Sequence, residues 1–136
     1  MPPPDHSFDA LLRRLRNLQF AEHFDMVVAI ANGGLIPAAL LREHLDIEMN
    51  VLRVNWRDTD NTPKGPQPVL LREPDFAFAG KKIILADDRI KTGVTVAFAK
   101  KLLSAAALIR TFAINGDADY AIWNESCFPM PWRTGE

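Results

Sequence analysis

The sequence has few features of a secreted or membrane protein. It contains one cysteine, Cys127, among 136 residues, which excludes an internal disulfide and is typical of a reducing compartment. The proline-rich start lacks the apolar core of a signal peptide. No apolar run approaches the roughly 20 residues that a helix needs to span a bilayer. These absences predict a cytoplasmic protein that does not enter a membrane.

Charge of neither sign is in excess, and several common binding motifs are missing. The chain has 16 basic and 17 acidic residues, and its net charge of −1 offers no general attraction to nucleic acid. The 3 histidines, His6, His23 and His44, lack metal-ligand spacing. Neither a Walker phosphate loop nor a Gly-x-Gly-x-x-Gly dinucleotide motif occurs. The sequence therefore predicts no nucleic-acid partner, no histidine metal site and neither of these nucleotide-binding folds.

Strands and helices alternate along the chain. Ser7 can cap a first helix, and an apolar run over residues 26–31 stops at a Gly-Gly turn, after which Pro37 suits the first turn of a helix through Leu45. Further strands are predicted over residues 48–56, 83–86, 108–114 and 121–123, with a helix over residues 94–103. This alternation predicts an α/β fold of three layers, a mostly parallel sheet flanked by helices. The length predicts a single domain over residues 1–136.

Residues 57–80 differ in composition from their surroundings. Polar residues and prolines dominate their first half, and only a short apolar patch follows. Such a segment cannot form a long regular element. Because long loops inside a compact domain are usually functional, we expect a mobile lid here. The alternative is an insertion without a role.

The most informative stretch joins a predicted buried strand to the next helix. Asp87 and Asp88 follow the apolar residues 83–86, which places them at the carboxyl end of a strand, where open α/β sheets bind ligands. Residues 92–95, Thr-Gly-Val-Thr, then open a helix whose free N–H groups and dipole favour an anion. The residues therefore predict a sugar-phosphate site, with a phosphate at the turn and a diol at the carboxylates.

This string resembles the phosphoribosyl pyrophosphate (PRPP) motif of the type I phosphoribosyltransferases. The resemblance implies their fold, and it implies that the two aspartates hydrogen-bond the ribose hydroxyls. The candidate catalytic residues are Asp87, Asp88 and Lys91. The residues implied to bind the 5-phosphate are Lys91, Thr92, Gly93, Val94 and Thr95.

The implied reaction transfers a 5-phosphoribosyl group from PRPP to a nitrogenous acceptor, such as a nucleobase, and releases pyrophosphate. It would serve nucleotide salvage or nucleoside metabolism. Mg²⁺ is the implied cofactor, held largely by substrate oxygens and water, with Asp87 and Asp88 as indirect ligands. A homodimer is expected by analogy with the family. The alternative function is a regulatory protein on the same fold that senses PRPP or a nucleotide with little or no catalysis.

The pyrophosphate would lie at the turn after the first strand. Family members present backbone amides there, and Ala31, Asn32, Gly33 and Gly34 occupy this turn. Without a Cβ, the glycines let the backbone approach a ligand closely. Asn32 stands where the family often has a cation, and the resemblance places a cis peptide bond between Asn32 and Gly33. Arg57 and Lys64 of the lid are further candidates for binding pyrophosphate.

Residues 115–136 are expected to form a hood over the acceptor. Tyr120, Trp123 and Trp132 resemble the aromatic ending of purine-type members, and their rings could stack on a base. Alternatively, these aromatic residues only close the edge of the core. Asn115, the remaining acceptor-binding candidate, replaces a lysine that reads the base in the family, and Lys91 replaces an acidic residue. These departures argue against purine salvage.

Overall fold

The computed structural model describes residues 4–55 and 69–134. Arg57, Lys64 and the rest of the first half of the predicted lid, residues 57–68, lie outside the described residues. The elements are α1 (Phe8–Asn17), β1 (Met26–Ala31), α2 (Leu35–Leu45), β2 (Glu48–Asn55), β3 (Val69–Leu70), β4 (Lys82–Ile90), α3 (Val94–Leu102), β5 (Leu108–Gly116) and β6 (Tyr120–Trp123).

The strands form one six-stranded sheet in the order β3-β2-β1-β4-β5-β6. All neighbouring strands run parallel except β3, which pairs antiparallel with the end of β2. The pairing of β1 with β4 extends only to Ala29 and Ala86. Beyond that pair the two strands part at their carboxyl ends, at the point where the strand order reverses. Open α/β sheets bind their ligands at such a switch point.

Both faces of the sheet are covered, because the buried side chains of β1 and β4 alternate between two cores. Val27 and Ile84 belong to the core beneath α1 and α2, and Val28 and Ile83 belong to the core beneath α3. The predicted three-layer α/β fold with a mostly parallel sheet is therefore confirmed. No helix in the described residues is long and apolar enough to cross a membrane.

The starts of two helices were predicted correctly from local sequence signals. The Ser7 side chain caps α1 by accepting a hydrogen bond from the backbone N–H of Ala10 at 3.1 Å. Pro37 lies buried in the first turn of α2, where its missing N–H costs no hydrogen bond.

The predicted end of the motif strand was wrong. We expected Asp87 and Asp88 to follow a strand of residues 83–86, but β4 continues to Ile90. The extension arises because Asp87 and Arg89 pair in register with Ala113 and Asn115 of β5. The carboxylates therefore stand on a paired strand rather than on the loop after it, which limits their movement.

Candidate functional site

A cavity of about 610 Å³ opens between the carboxyl ends of β1 and β4. The turn after β1, the last four residues of β4 and the turn before α3 all contribute to its wall. The lining residues are Ile30, Ala31, Asn32, Gly33, Arg53, Val54, Leu71, Asp87, Asp88, Arg89, Ile90, Lys91, Thr92, Gly93, Val94, Thr95, Val96 and Cys127. The structure thus brings the predicted ribose-binding and 5-phosphate-binding residues together with most of the glycine turn.

The two glycines let the turn after β1 lie directly against β4. A Cβ at Gly34 would stand 2.1 Å from the carbonyl oxygen of Ala86, and a Cβ at Gly33 would stand 2.6 Å from Oδ1 of Asp88. Gly34 is buried behind the cavity wall, whereas Gly33 lines the cavity. The turn can approach the carboxylates this closely only because both side chains are absent.

The prediction of a cis peptide bond between Asn32 and Gly33 was wrong by one bond. The cis bond lies between Ala31 and Asn32. The chain reverses direction as soon as the strand ends, since the N–H of Gly34 already donates to the carbonyl of Ile30 at 2.8 Å. The N–H of Leu35 then donates to the carbonyl of Asn32 at 3.1 Å.

The two carboxylates are held by successive backbone groups of β4. The N–H of Asp88 donates to Oδ1 of Asp87 at 2.8 Å, and the N–H of Arg89 donates to Oδ1 of Asp88 at 2.7 Å. Burial, together with the neighbouring charge of Asp88, raises the pKa of Asp87 well above its ordinary value of 3.8. Hydroxyl donors or a cation bound here would compensate the buried negative charge.

This raised pKa makes the folded state bind a proton more tightly at Asp87 than the unfolded state does. The additional stability that this proton gives the folded state is fully present below about pH 3.8, and it is lost as the pH rises through the folded-state pKa of Asp87. We therefore expect Asp87→Asn to be more stable than the parent protein at pH 8 but not at pH 3.5. Urea denaturation at both pH values measures the gain, and each tenfold difference in proton affinity between the folded and unfolded states corresponds to about 1.4 kcal/mol. An equal gain at both pH values would contradict this origin.

The turn before α3 has the geometry of an anion site. Gly93 adopts the left-handed conformation with φ 78°, which a residue with a side chain rarely takes. The N–H of Ala97 donates to its carbonyl at 2.8 Å, so the helix begins immediately after the glycine. The N–H groups of the first turn therefore have no partner within the helix. Lys91 and Thr92 are exposed beside them on the cavity wall.

The four predicted acceptor-binding residues are not among those that line the cavity. Asn115 is buried, and its amide bonds the backbone of Glu125 and Ser126. The Tyr120 hydroxyl donates to the Glu22 carboxylate, while Trp123 is buried and Trp132 packs against the core at half burial. These contacts match the alternative that the aromatic residues close the edge of the core. Acceptor binding by the four residues stays a prediction.

Apart from aliphatic residues, three side chains that the sequence did not assign to the site line the cavity with the predicted set. Arg53 pairs in register with Ala31 and adds a cation beside the glycine turn. The expected parallel pairing of the first two strands could have revealed it, because their carboxyl ends meet at one edge of the sheet. Arg89 and Cys127 also line the cavity, but their meeting there depends on tertiary folding and has no local signal.

The described residues hold no group of three or more His, Cys, Asp or Glu side chains placed to bind a metal ion. Asp87 and Asp88 still offer carboxylate oxygens, which are the ligand type that Mg²⁺ prefers. This set fits Mg²⁺ only if most of its ligands come from a bound molecule and water.

Comparisons with known proteins agree with this geometry. The phosphoribosyl transferase domain model matches residues 7–113. The chain is 27% identical over 93 residues to a xanthine-guanine phosphoribosyltransferase of Idiomarina loihiensis, covering 68% of this chain and 57% of that protein. It is 29% identical over 107 residues to the protein of the same name from Gluconobacter oxydans, covering 77% and 62%. The chain therefore spans less than two thirds of the length of either relative.

The fold is shared with solved structures over nearly the whole chain. A purine phosphoribosyltransferase from Pyrococcus horikoshii superimposes with a TM-score of 0.75 at 22% identity, covering 96% of this chain and 93% of that one. The domain match over most of the sequence establishes the family that the PRPP-like motif suggested, and the shared fold agrees with it. The chain belongs to the phosphoribosyl transferase domain family.

Proposed function

We propose that this protein transfers a 5-phosphoribosyl group from PRPP to a nucleobase and releases pyrophosphate. The observation that carries the proposal is the convergence of three parts in one cavity: the turn before α3, the carboxylate pair of β4 and the glycine turn after β1. Each part suits a different portion of PRPP. The names of the matched relatives favour a purine acceptor, in contrast to the expectation from Lys91 and Asn115.

The 5-phosphate would bind at the first turn of α3. Backbone N–H groups of residues 93–95 and the positive end of the helix dipole attract its charge, and Lys91 and Thr92 lie next to them. Asp88, beside Gly33, would accept hydrogen bonds from the ribose hydroxyls. Binding of both the 5-phosphate and the ribose hydroxyls would hold the ribose in the cavity and leave its anomeric carbon free to react with the acceptor.

Bond cleavage would develop positive charge on the ribose ring and negative charge on the leaving pyrophosphate. The carboxylates of Asp87 and Asp88 stabilise the positive charge, because they are held in place by β4 before the reaction. The backbone of Asn32 and Gly33 and the side chain of Arg53 would bind the leaving group, since all three residues line the cavity. Mg²⁺, when bound, would neutralise pyrophosphate charge and be held through substrate oxygens and water near Asp87 and Asp88.

Arg53 supplies the cation that Asn32 does not. We expect Arg53→Leu to raise the KM for PRPP about tenfold or more, since a charge-assisted hydrogen bond to phosphate is lost. The KM for the acceptor should change little. Steady-state kinetics of pyrophosphate release would measure both constants. Arg42→Leu, at an exposed position on α2, is the matched control, and equal PRPP constants for the two variants would contradict this role.

The direct test incubates the protein with PRPP, Mg²⁺ and a panel of purine and pyrimidine bases while pyrophosphate release and PRPP binding are measured. Base-dependent release supports the transferase. PRPP binding without release on any base would instead support the regulatory alternative, which the matched relatives do not favour. The expected homodimer and cytoplasmic location stay predictions.

A further inference from the structure

Two side chains from adjacent strands hold the 125–128 loop against the cavity. Nη2 of Arg89 on β4 donates to the carbonyl oxygen of Phe128 at 2.8 Å. On β5, Oδ1 of Asn115 accepts from the N–H of Glu125 at 2.9 Å, and Nδ2 donates to the carbonyl of Glu125 at 3.1 Å. Nδ2 also lies 3.4 Å from the carbonyl of Ser126. These hydrogen bonds join the backbone of three loop residues to side chains of the sheet, and they satisfy the buried amide of Asn115.

The same loop is packed from its other side. The ring of His6 stacks on Phe128 with centroids 3.5 Å apart, and Nε2 of His6 lies 2.6 Å from Oε1 of Glu125. Phe128 also packs edge-on against Trp123. Cys127, between these anchors, lines the cavity. The loop thus contributes Cys127 to the wall of the site, while side chains on β4 and β5 hold it in place.

Arg89 links this wall to the carboxylates. Its Nη1 lies 3.8 Å from Oδ2 of Asp88 while its Nη2 holds the loop. The buried Nε of Arg89 has no hydrogen-bond partner among the described residues, so the two Nη contacts are the polar contacts that orient the side chain. A planar guanidinium can bridge two acceptors in fixed directions, whereas a lysine offers a single point charge.

We propose that Arg89 and Asn115 are positioning residues that fix the 125–128 loop as the acceptor-side wall of the cavity, and that Arg89 couples this wall to Asp88. The part concerning the acceptor rests on the proposed function. Because the amide of Asn115 is already bonded to the loop, the acceptor would meet Cys127, the loop residue that lines the cavity, rather than this amide. The wall is formed before any acceptor binds.

Amide hydrogen exchange of the free protein tests the positioning role without any substrate. We expect Arg89→Leu and Asn115→Leu each to increase exchange in peptides covering residues 124–130 about tenfold, since each removes hydrogen bonds from that loop. Arg42→Leu and Asn17→Leu, at exposed sites on α2 and α1, should leave these peptides unchanged. Unchanged exchange of the loop in both test variants would overturn the proposal.

If a leucine variant increases hydrogen exchange along the whole chain, Arg89→Lys still tests the proposal. The lysine retains a charge near Asp88 but cannot bridge both acceptors, so exchange should still rise only in residues 124–130. Normal exchange of the loop in Arg89→Lys would overturn the bridging role.

Kinetics then separate positioning from simple stabilisation. Asn115→Leu should raise the KM for the acceptor while the KM for PRPP stays the same. Arg89→Leu should raise both constants, because its Nη1 also lies beside Asp88, which is proposed to bind the ribose. A rise in both constants for Asn115→Leu would contradict a role confined to the acceptor side, and an unchanged KM for PRPP in Arg89→Leu would contradict the coupling to Asp88. If no base supports turnover but the exchange results hold, the proposed function fails while the positioning of the loop stands.

Discussion

Asp88→Asn is expected to slow pyrophosphate release by about 10²- to 10³-fold while the fold stays intact. Asparagine keeps the size of the side chain and one acceptor oxygen, but it removes the negative charge that is proposed to face the ribose ring. Loss of one preorganised group that stabilises transition-state charge costs a factor of this size. Stability should not suffer, because the substitution also removes repulsion between two adjacent carboxylates. Turnover and a urea midpoint, measured on the same preparation, check both halves of the prediction.

Asp46→Asn is the matched control for this variant. Asp46 is an exposed residue at the end of α2, whereas the cavity lies at the start of that helix. A helix of 11 residues is about 16 Å long, so the control charge is far from the ribose site. It also has a left-handed backbone, with φ 54°, which asparagine tolerates. Full turnover by Asp88→Asn would show that the carboxylate does not act on the ribose.

Most of the fold could be predicted because its signals are local. The buried run of β1, the Ser7 cap and Pro37 each mark an element through neighbours in sequence. The end of β4 could not be predicted in this way. Asp87 and Asp88 have low intrinsic preference for strands, and they are held in one by pairing with β5, which is about 26 residues farther along the chain.

In the candidate site, too, residues with a local sequence signal could be predicted, whereas residues brought together by tertiary contacts could not. Asp87, Asp88 and residues 91–95 lie in one stretch of sequence, so their joint role could be predicted from it, and all of them line the cavity. Arg53 reaches the site through strand pairing, and Arg89 and Asn115 reach the 125–128 loop through bonds to its backbone. Every residue carries the same backbone carbonyl, so the sequence does not indicate which carbonyl will accept a hydrogen bond from a given side chain. The loop partners of Arg89 and Asn115 could therefore not be predicted from the sequence.

Gly34→Ala should cause the largest loss of stability among single substitutions in the site, at least about 3 kcal/mol. The new Cβ would stand 2.1 Å from the carbonyl oxygen of Ala86 and 2.8 Å from both N and O of Ile30. All three atoms are backbone atoms of the central strands β1 and β4, so none can move without disturbing the pairing of the sheet. Urea denaturation followed by circular dichroism would measure the loss, and insoluble or unfolded protein would be its extreme form.

Gly33→Ala separates this packing effect from a catalytic one, because it adds the same methyl group one residue earlier. Its Cβ would meet the Asp88 side chain, with Oδ1 at 2.6 Å and Cγ at 2.8 Å, and a side chain can rotate away. We expect stability to change by less than about 1 kcal/mol while turnover falls, since the displaced carboxylate no longer faces the ribose. A folded, active Gly34→Ala protein would show that β1 and β4 can separate without cost. Unaltered turnover in a folded Gly33→Ala protein would show that the position of Asp88 does not limit the reaction.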